Sequence, residues 1–342
     1  MKKHINPFKT LALLALMAAP FLGRASDGDN IEKKKLINKS YTVGPDDRLS
    51  IENSFGNVII TTWDKNEIQV SVEIGVRAPS DEKAQLMLDQ IKVTDNQGGQ
   101  EISFKTDIGS MGKGKEKGNW SKNEDSRKFY VDYKIVMPAR NPLRVENSFG
   151  KISVPDFSGI VSLTSKFGEL STGKLANAKL VHVEFGKAEI GILNNADVIL
   201  KFNSKSNVAG LGGNSKVHIE FCSQVNLTID NTVSDLAVFE SYSNIHLKAP
   251  DNLSAQFDIH TNFGNFKNTT EFNIAEDNDD DTSGPKFDKD YSGSAGSGAA
   301  KIKIKSSFGN VRLASIHDKS ADNEDAHDED QDDEKGGDKV NL

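Results

Sequence analysis

A phenylalanine or tyrosine followed by a small residue recurs along this chain, and that recurrence constrains the fold more than any other feature. The pairs are Phe55-Gly56, Phe149-Gly150, Phe167-Gly168, Phe185-Gly186, Phe202-Asn203, Phe221-Cys222, Tyr242-Ser243, Phe263-Gly264 and Phe308-Gly309. Between Phe149 and Phe263 successive aromatics lie 17 to 21 residues apart. A period of that length belongs to repeats that stack on one another and bury little alone.

Each unit places two apolar residues, one residue apart, ahead of the aromatic and another such pair behind it. Leu143 and Val145 precede Phe149, Val181 and Val183 precede Phe185, and Ile302 and Ile304 precede Phe308; Val58 and Ile60 follow Phe55, as Val311 and Leu313 follow Phe308. Alternation at period two, rich in Val and Ile and broken by Gly, Asn and Ser, signals short strands rather than helices. The expected fold is therefore all-β: a single-stranded parallel β-solenoid (β-helix), right-handed, with coils of 17 to 21 residues. Equivalent side chains of neighbouring coils then stand about 4.8 Å apart. The aromatics are expected to form an internal column. The small residue after each marks a corner where φ is positive or the backbone passes close to its neighbour.

Facing outward, Glu184, Lys201 and Glu220 form a ladder of alternating charge, a structural device of about 0.2–1 kcal/mol per pair. Ser162, His182, Ile199, His218 and Ala237 are read as a second outward column. His182 and His218 sit two rungs apart there, about 10 Å, too far to share one zinc ion. Cys222 reads as a small buried residue.

The first ten residues carry Lys2, Lys3 and Lys9, residues 11–22 are almost wholly apolar, and Gly23-Arg24-Ala25 fits a signal-peptidase site. This predicts a secretory signal peptide cleaved after Ala25, with no transmembrane segment afterwards. With Cys222 as the single cysteine, no intramolecular disulfide is available. The formal net charge is -8. Residues 276–290 hold seven acids against two lysines and residues 318–342 eleven against three, so the acidity is concentrated in two stretches. Outside those stretches the folded remainder is close to neutral, which argues against nucleic-acid binding.

Phe55 and Phe149 are too far apart for one coil, so a segment is inserted. Residues 67–78, 101–107 and 128–137 alternate like strands, and 80–91 reads as a helix with Ser80 as N-cap and Ala84, Met87, Leu88 and Ile91 on one face. These make a small α/β insertion packed on the first coil. The expected division is a signal peptide at 1–25, an N-terminal linker at 26–40, the first coil with its insertion at 41–142, the β-solenoid at 143–316 with a mobile acidic loop at 276–300, and a disordered acidic tail at 317–342.

Chemical signals are sparse. Asp277, Asp279, Asp281 and Asp288 imitate the oxygen spacing of a calcium loop. Thr282 stands where such a loop wants glycine and Asp288 where it wants a bidentate glutamate, so a solvated loop is the preferred reading. The lysines and glycines of 109–118 lack the order of a phosphate loop, and no Gly-x-Ser-x-Gly elbow occurs. Trp63 is expected to pack at a coil corner, and Trp120 lies in a polar stretch. No catalytic residue and no cofactor are assigned.

The Asn-Ser-Phe-Gly repeats at 53–56 and 147–150, the Trp63-Asp64-Lys65 turn and the short helix together resemble the putative adhesin family of exported bacterial β-solenoid domains, many from Bacteroidota. The resemblance covers about residues 41–316. It implies an exported protein of the periplasm or cell surface of a Gram-negative bacterium, non-enzymatic, whose partner is a protein or glycan at the cell envelope. A periplasmic role in envelope maintenance or stress signalling is the alternative, and a carbohydrate-active enzyme the third reading. Ligand and oligomeric state are open.

Overall fold

The alternating Val, Ile and Leu residues form strands because each can bury one face and pair its backbone with the next repeat. The computed structural model describes residues 30–109, 128–277 and 287–318. The expected signal peptide at 1–25, Trp120, Asp279, Asp281 and the expected acidic tail beyond Asp318 lie outside the described residues. Within them the chain is all-β, with 23 strands and one helix in sequence order.

Strands β8 (Leu143–Ser148), β10 (Phe157–Lys166), β12 (Leu175–Glu184), β14 (Asp197–Lys201), β15 (Lys205–Glu220) and β16 (Val225–Ser241) pair in that order, each parallel to the last. The register is one repeat per rung. Val145, Leu163, Val181, Val198, Val217 and Val238 therefore form one continuous inward column, each at most 1% exposed. Burying each such side chain contributes about 1.5–3 kcal/mol. A second wall begins with β9 (Lys151–Val154), β11 (Glu169–Thr172) and β13 (Lys187–Asn194), continues through β15 and β16, and reaches β17 (Asn244–Ala249).

At the C-terminal end, spatial order departs from chain order. Strand β22 (Ala300–Ser307) lies between β16 and β18 (Ala255–Asn262), parallel to both, and β23 (Asn310–Ser315) lies between β17 and β19 (Phe266–Asn268). The last coil in sequence thus sits inside the stack. Outside it, β21 (Asp288–Ala295) covers β18 antiparallel, and β20 (Asn273–Glu276) covers β21. The expected loop at 276–300 accordingly contains a strand: Tyr291 and its neighbours pair with 259 and 276 rather than remaining free.

The N-terminal end follows the same plan. Strand β2 (Arg48–Ser54) lies between β8 and β6 (Glu101–Asp107), and β3 (Val58–Trp63) between β9 and β7 (Phe129–Pro138). Strand β4 (Glu67–Ala78) then pairs antiparallel with β7, β5 (Lys92–Gly98) with β6, and β1 (Ile31–Thr42) with β4. The insertion supplies a further rung and its cover. Helix α1 (Asp81–Gln90) has the expected cap, the Lys83 N–H donating to Ser80 Oγ at 3.3 Å, and buries Ala84 and Leu88. The expected linker at 26–40 is replaced over most of its length by β1, an exposed edge strand. Lys33, Lys34, Lys35 and Lys39 make that edge a poor template for further pairing.

Candidate functional site

Along each repeat the inward positions alternate until the corner: Ile51, then Asn53, with Phe55 next in the inward phase. At Phe55 the backbone turns to φ 63°, which interrupts the period of two and throws the ring outward. The same inversion recurs at Phe149, Phe167, Phe185, Phe202, Phe221, Tyr242, Phe263 and Phe308, with φ from 51° to 60°. The expectation of an internal aromatic column is thereby corrected. From Phe149 onward these rings are 37–53% exposed.

Where the residue after the aromatic is glycine, it is needed for approach rather than for φ. A Cβ on Gly168 would stand 2.0 Å from the Gly150 carbonyl oxygen, and one on Gly186 2.0 Å from that of Gly168. In the Asn-Ser-Phe-Gly corners the asparagine turns inward. Asn53 Nδ2 donates to Asn147 Oδ1 and to the Val131 carbonyl, both at 3.0 Å, and Asn147 Nδ2 donates to the Gly56 carbonyl at 2.9 Å.

The rings stack into one ladder. Phe55, Phe149, Phe167, Phe185, Phe202, Phe221, Tyr242, Phe308 and Phe263 follow one another at centroid distances of 4.7–5.3 Å with interplanar angles of 2–7°. Phe308 precedes Phe263 because the last coil lies inside the stack. Phe287 continues the ladder beyond Phe263 at 4.9 Å, and Phe129 closes the other end against Phe55 at 5.1 Å. Every central ring has both faces covered by its neighbours, so the ladder presents ring edges to solvent.

Magnitudes decide how this arrangement is to be read. Holding a bulky L-residue in the left-handed region costs about 1–2 kcal/mol, and a stacked aromatic pair returns about 0.5–1.5 kcal/mol. Burial of about half of each ring, on the order of 100 Å², adds about 2.5 kcal/mol, so ring packing outweighs the strain that glycine or asparagine at the same corner would avoid. Asn195, at φ 53°, shows that asparagine is accepted in this conformation. The rings therefore hold their own corners and still leave about half of each ring exposed along one line.

Two shoulders flank the ridge. On one, Ser148, Lys166, Glu184, Lys201, Glu220 and Ser241 occupy successive rungs. Lys166 pairs with Glu184 at 3.1 Å and Lys201 with Glu220 at 2.9 Å, which extends the expected charge ladder by one rung. The other shoulder carries Lys151, Glu169, Lys187 and Lys205, with Lys151 Nζ 2.8 Å from Glu169. Towards the C-terminal end charge gives way to amides: Asn310 donates to Asn244 Oδ1 from both its backbone N–H and its side chain, each at 3.1 Å.

The histidine column is real but shifted at both ends. Thr164, not Ser162, faces His182, and Phe239, not Ala237, faces His218, as the steps of 18 residues from Phe167 to Phe185 and 21 from Phe221 to Tyr242 require. Ile199 separates the two histidines as expected. His218 stacks on Phe239 at 5.0 Å, and burial pushes the His182 imidazole below its ordinary pKa. His260 Nδ1 lies 2.8 Å from Asp290. Asp277 accepts from Ser292 Oγ at 2.6 Å, while Asp288 lies against Asn262 and His260. Among the described residues no group of three or more His, Cys, Asp or Glu is placed to hold a metal ion.

Cys222 is buried, its Sγ 3.5 Å from the Leu200 and Glu220 carbonyls, and burial raises its thiol pKa. Trp63 Nε1 donates to the Glu67 carbonyl at 2.8 Å, with Lys65 over the ring at 4.6 Å. Glu240, unremarked in the sequence, occupies an inward position at 5% exposure between Ile219 and Ser306. Its carboxylate accepts from the Ser243 N–H at 2.6 Å and from the Ser306 hydroxyl, and burial raises its pKa against those bonds. These partners tie the coil of Tyr242 to the inserted last coil.

Several solved structures are similar to this chain at low identity. A putative cell adhesion protein from Clostridium sporogenes shares 12% identity, with 83% of this chain and 100% of that one covered and a TM-score of 0.27. A putative adhesin from Bacteroides fragilis shares 12%, covering 82% and 97% with a TM-score of 0.30. One from Parabacteroides merdae shares 10%, covering 82% and 96% with a TM-score of 0.24. No protein-family model matches, and no curated protein matches.

Proposed function

We propose that this chain is an exported, non-catalytic, adhesin-like module of the cell envelope or surface: a right-handed parallel β-solenoid that engages its partner, a protein or a glycan, along the aromatic ridge. The observation that carries the reading is the ladder itself, with nine large aromatics 37–54% exposed in one line. Contiguous apolar surface on that scale marks interaction sites. The one-repeat register of the parallel rungs supports the solenoid, whose long regular faces suit extended partners better than small ones. Because the ring faces are occupied, a partner meets edges and shoulders. Sugar stacking is confined to the ladder's ends.

The test uses the native organism with its protein intact. Impermeant biotin reagent should label the mature protein while a periplasmic control is spared, and cells carrying Phe185→Asn with Phe202→Asn should lose attachment to protein- and glycan-coated surfaces at unchanged protein level. Protection from the reagent would favour the periplasmic envelope-maintenance reading. Undiminished attachment of labelled cells would remove the ridge from the function.

A further inference from the structure

The ridge raises the question of what fits it. Stacked centroids 4.7–5.3 Å apart leave no slot for an intercalating ring, so an occupant must be long, straight and in step with the rungs. A strand stack of the same 4.8 Å repeat meets that requirement.

We propose that the ridge docks against the ridge of a second copy of this chain, antiparallel, about a two-fold axis between Phe185 and Phe202. This deepens the reading of the ridge as an interaction face and rests on it. A two-fold contact must be self-complementary, each residue meeting its own counterpart in reverse. The shoulder Ser148, Lys166, Glu184, Lys201, Glu220, Ser241 has that property. Turned end for end about its midpoint, it sets serine against serine, Lys166 against Glu220 and Glu184 against Lys201. The aromatics pair in the same operation, Phe185 with Phe202, Phe167 with Phe221 and Phe149 with Tyr242.

Area agrees. The seven rings from Phe149 to Phe308 that fall within the paired rungs are 37–51% exposed and, at about 200 Å² each, present on the order of 600 Å², so that with the shoulders the contact approaches the roughly 800 Å² that one partner buries in a specific interface. The other shoulder brings Lys187 and Lys205 together at the central rungs, so the docked ridges lean toward the serine-flanked one. Rim charges of this kind select register and partner more than they add affinity.

Sedimentation of the full chain from low to high micromolar concentration reads the proposal. The expected result is a dimer that Phe185→Asn with Phe202→Asn weakens by roughly a hundredfold, with an unchanged circular dichroism spectrum because asparagine accepts the corner conformation, as Asn195 does. Lys201→Glu alone puts like charges opposite each other at both central rungs and weakens the dimer about tenfold. Adding Glu184→Lys restores it. That double exchange breaks the alternation within one chain, so recovery can come only from contact between copies.

A wild-type chain that stays monomeric at high micromolar concentration, or a dimer indifferent to these variants, overturns the proposal. The two readings separate cleanly. Monomeric wild type combined with attachment that is lost in the asparagine variant leaves the ridge to another molecule and ends self-docking. A ridge-dependent dimer combined with unchanged attachment keeps self-docking and ends the adhesive reading.

Discussion

Between Phe149 and Tyr242 the spatial order of the rungs follows the chain, whereas at both ends it does not: β2 lies between β8 and β6, and β22 lies between β16 and β18. The middle needs only that each repeat match the next. The ends must also stop the stack, since a parallel rung left open is a template for further strands. Both do so by running antiparallel strands over the outermost rung, β4 and β5 at one end and β21 at the other. Charge follows the same division. Lysine and glutamate, alternating on one shoulder only, flank the central rungs, and serine and asparagine the terminal ones. Repetition therefore specifies stacking, and irregular sequence specifies termination.

That contrast breaks first at the core. Val181→Asp places a carboxylate among residues with no exposure. A pKa displacement of 3–5 units for such a burial corresponds to about 4–7 kcal/mol, so the central rungs should unfold at room temperature by circular dichroism. Next is a glycine comparison. Gly186→Ala drives a Cβ to within 2.0 Å of a backbone oxygen in the middle of the stack and should cost about 3 kcal/mol in urea. Gly98→Ala, in the cover strand β5, meets nothing closer than 3.9 Å and should shift stability by less than about 0.5 kcal/mol.

The inserted last coil has a pH signature that the middle lacks. Glu240 holds its proton more tightly folded than unfolded, so its contribution is largest below the ordinary carboxylate pKa and is lost as pH rises through the raised folded value. Glu240→Gln should therefore melt higher than wild type at neutral pH, with the advantage shrinking on acidification; a constant difference across pH would remove Glu240 from the account. The smallest effect belongs to the shoulder. Lys201→Ala should cost about 0.5 kcal/mol, and less in high salt, because its partner Glu220 is well exposed.

Much of the middle was legible in the sequence. The strand positions, the parallel repeat, the Glu184, Lys201, Glu220 ladder and the separation of His182 from His218 all follow from period-two alternation and a fixed step. The helix and its Ser80 cap were legible from local chemistry. What failed was the side of the wall on which the aromatics lie. Period-two counting sends Phe55 inward, and only the left-handed corner, which no residue type other than glycine or asparagine announces, sends it out. The thread of the last coil was hidden for a different reason. Phe263 and Phe308 head equivalent repeats, and nothing local says that the later one stacks first on Tyr242. Glu240 marks the place, yet a glutamate in a strand reads as surface until its neighbours are known.

The central claim is that the aromatics line the outside of the wall whose inside is the valine column, and two substitutions on one rung decide it. Urea midpoints should be measured for Phe185→Asp and Val183→Asp side by side in dilute solution. The account predicts a loss of about 2–3 kcal/mol for Phe185→Asp, whose carboxylate stays in water but which gives up two stacking contacts and the buried half of the ring, and one about twice as large for Val183→Asp, at a site with no exposure. Equal losses would place Phe185 in the core and contradict it.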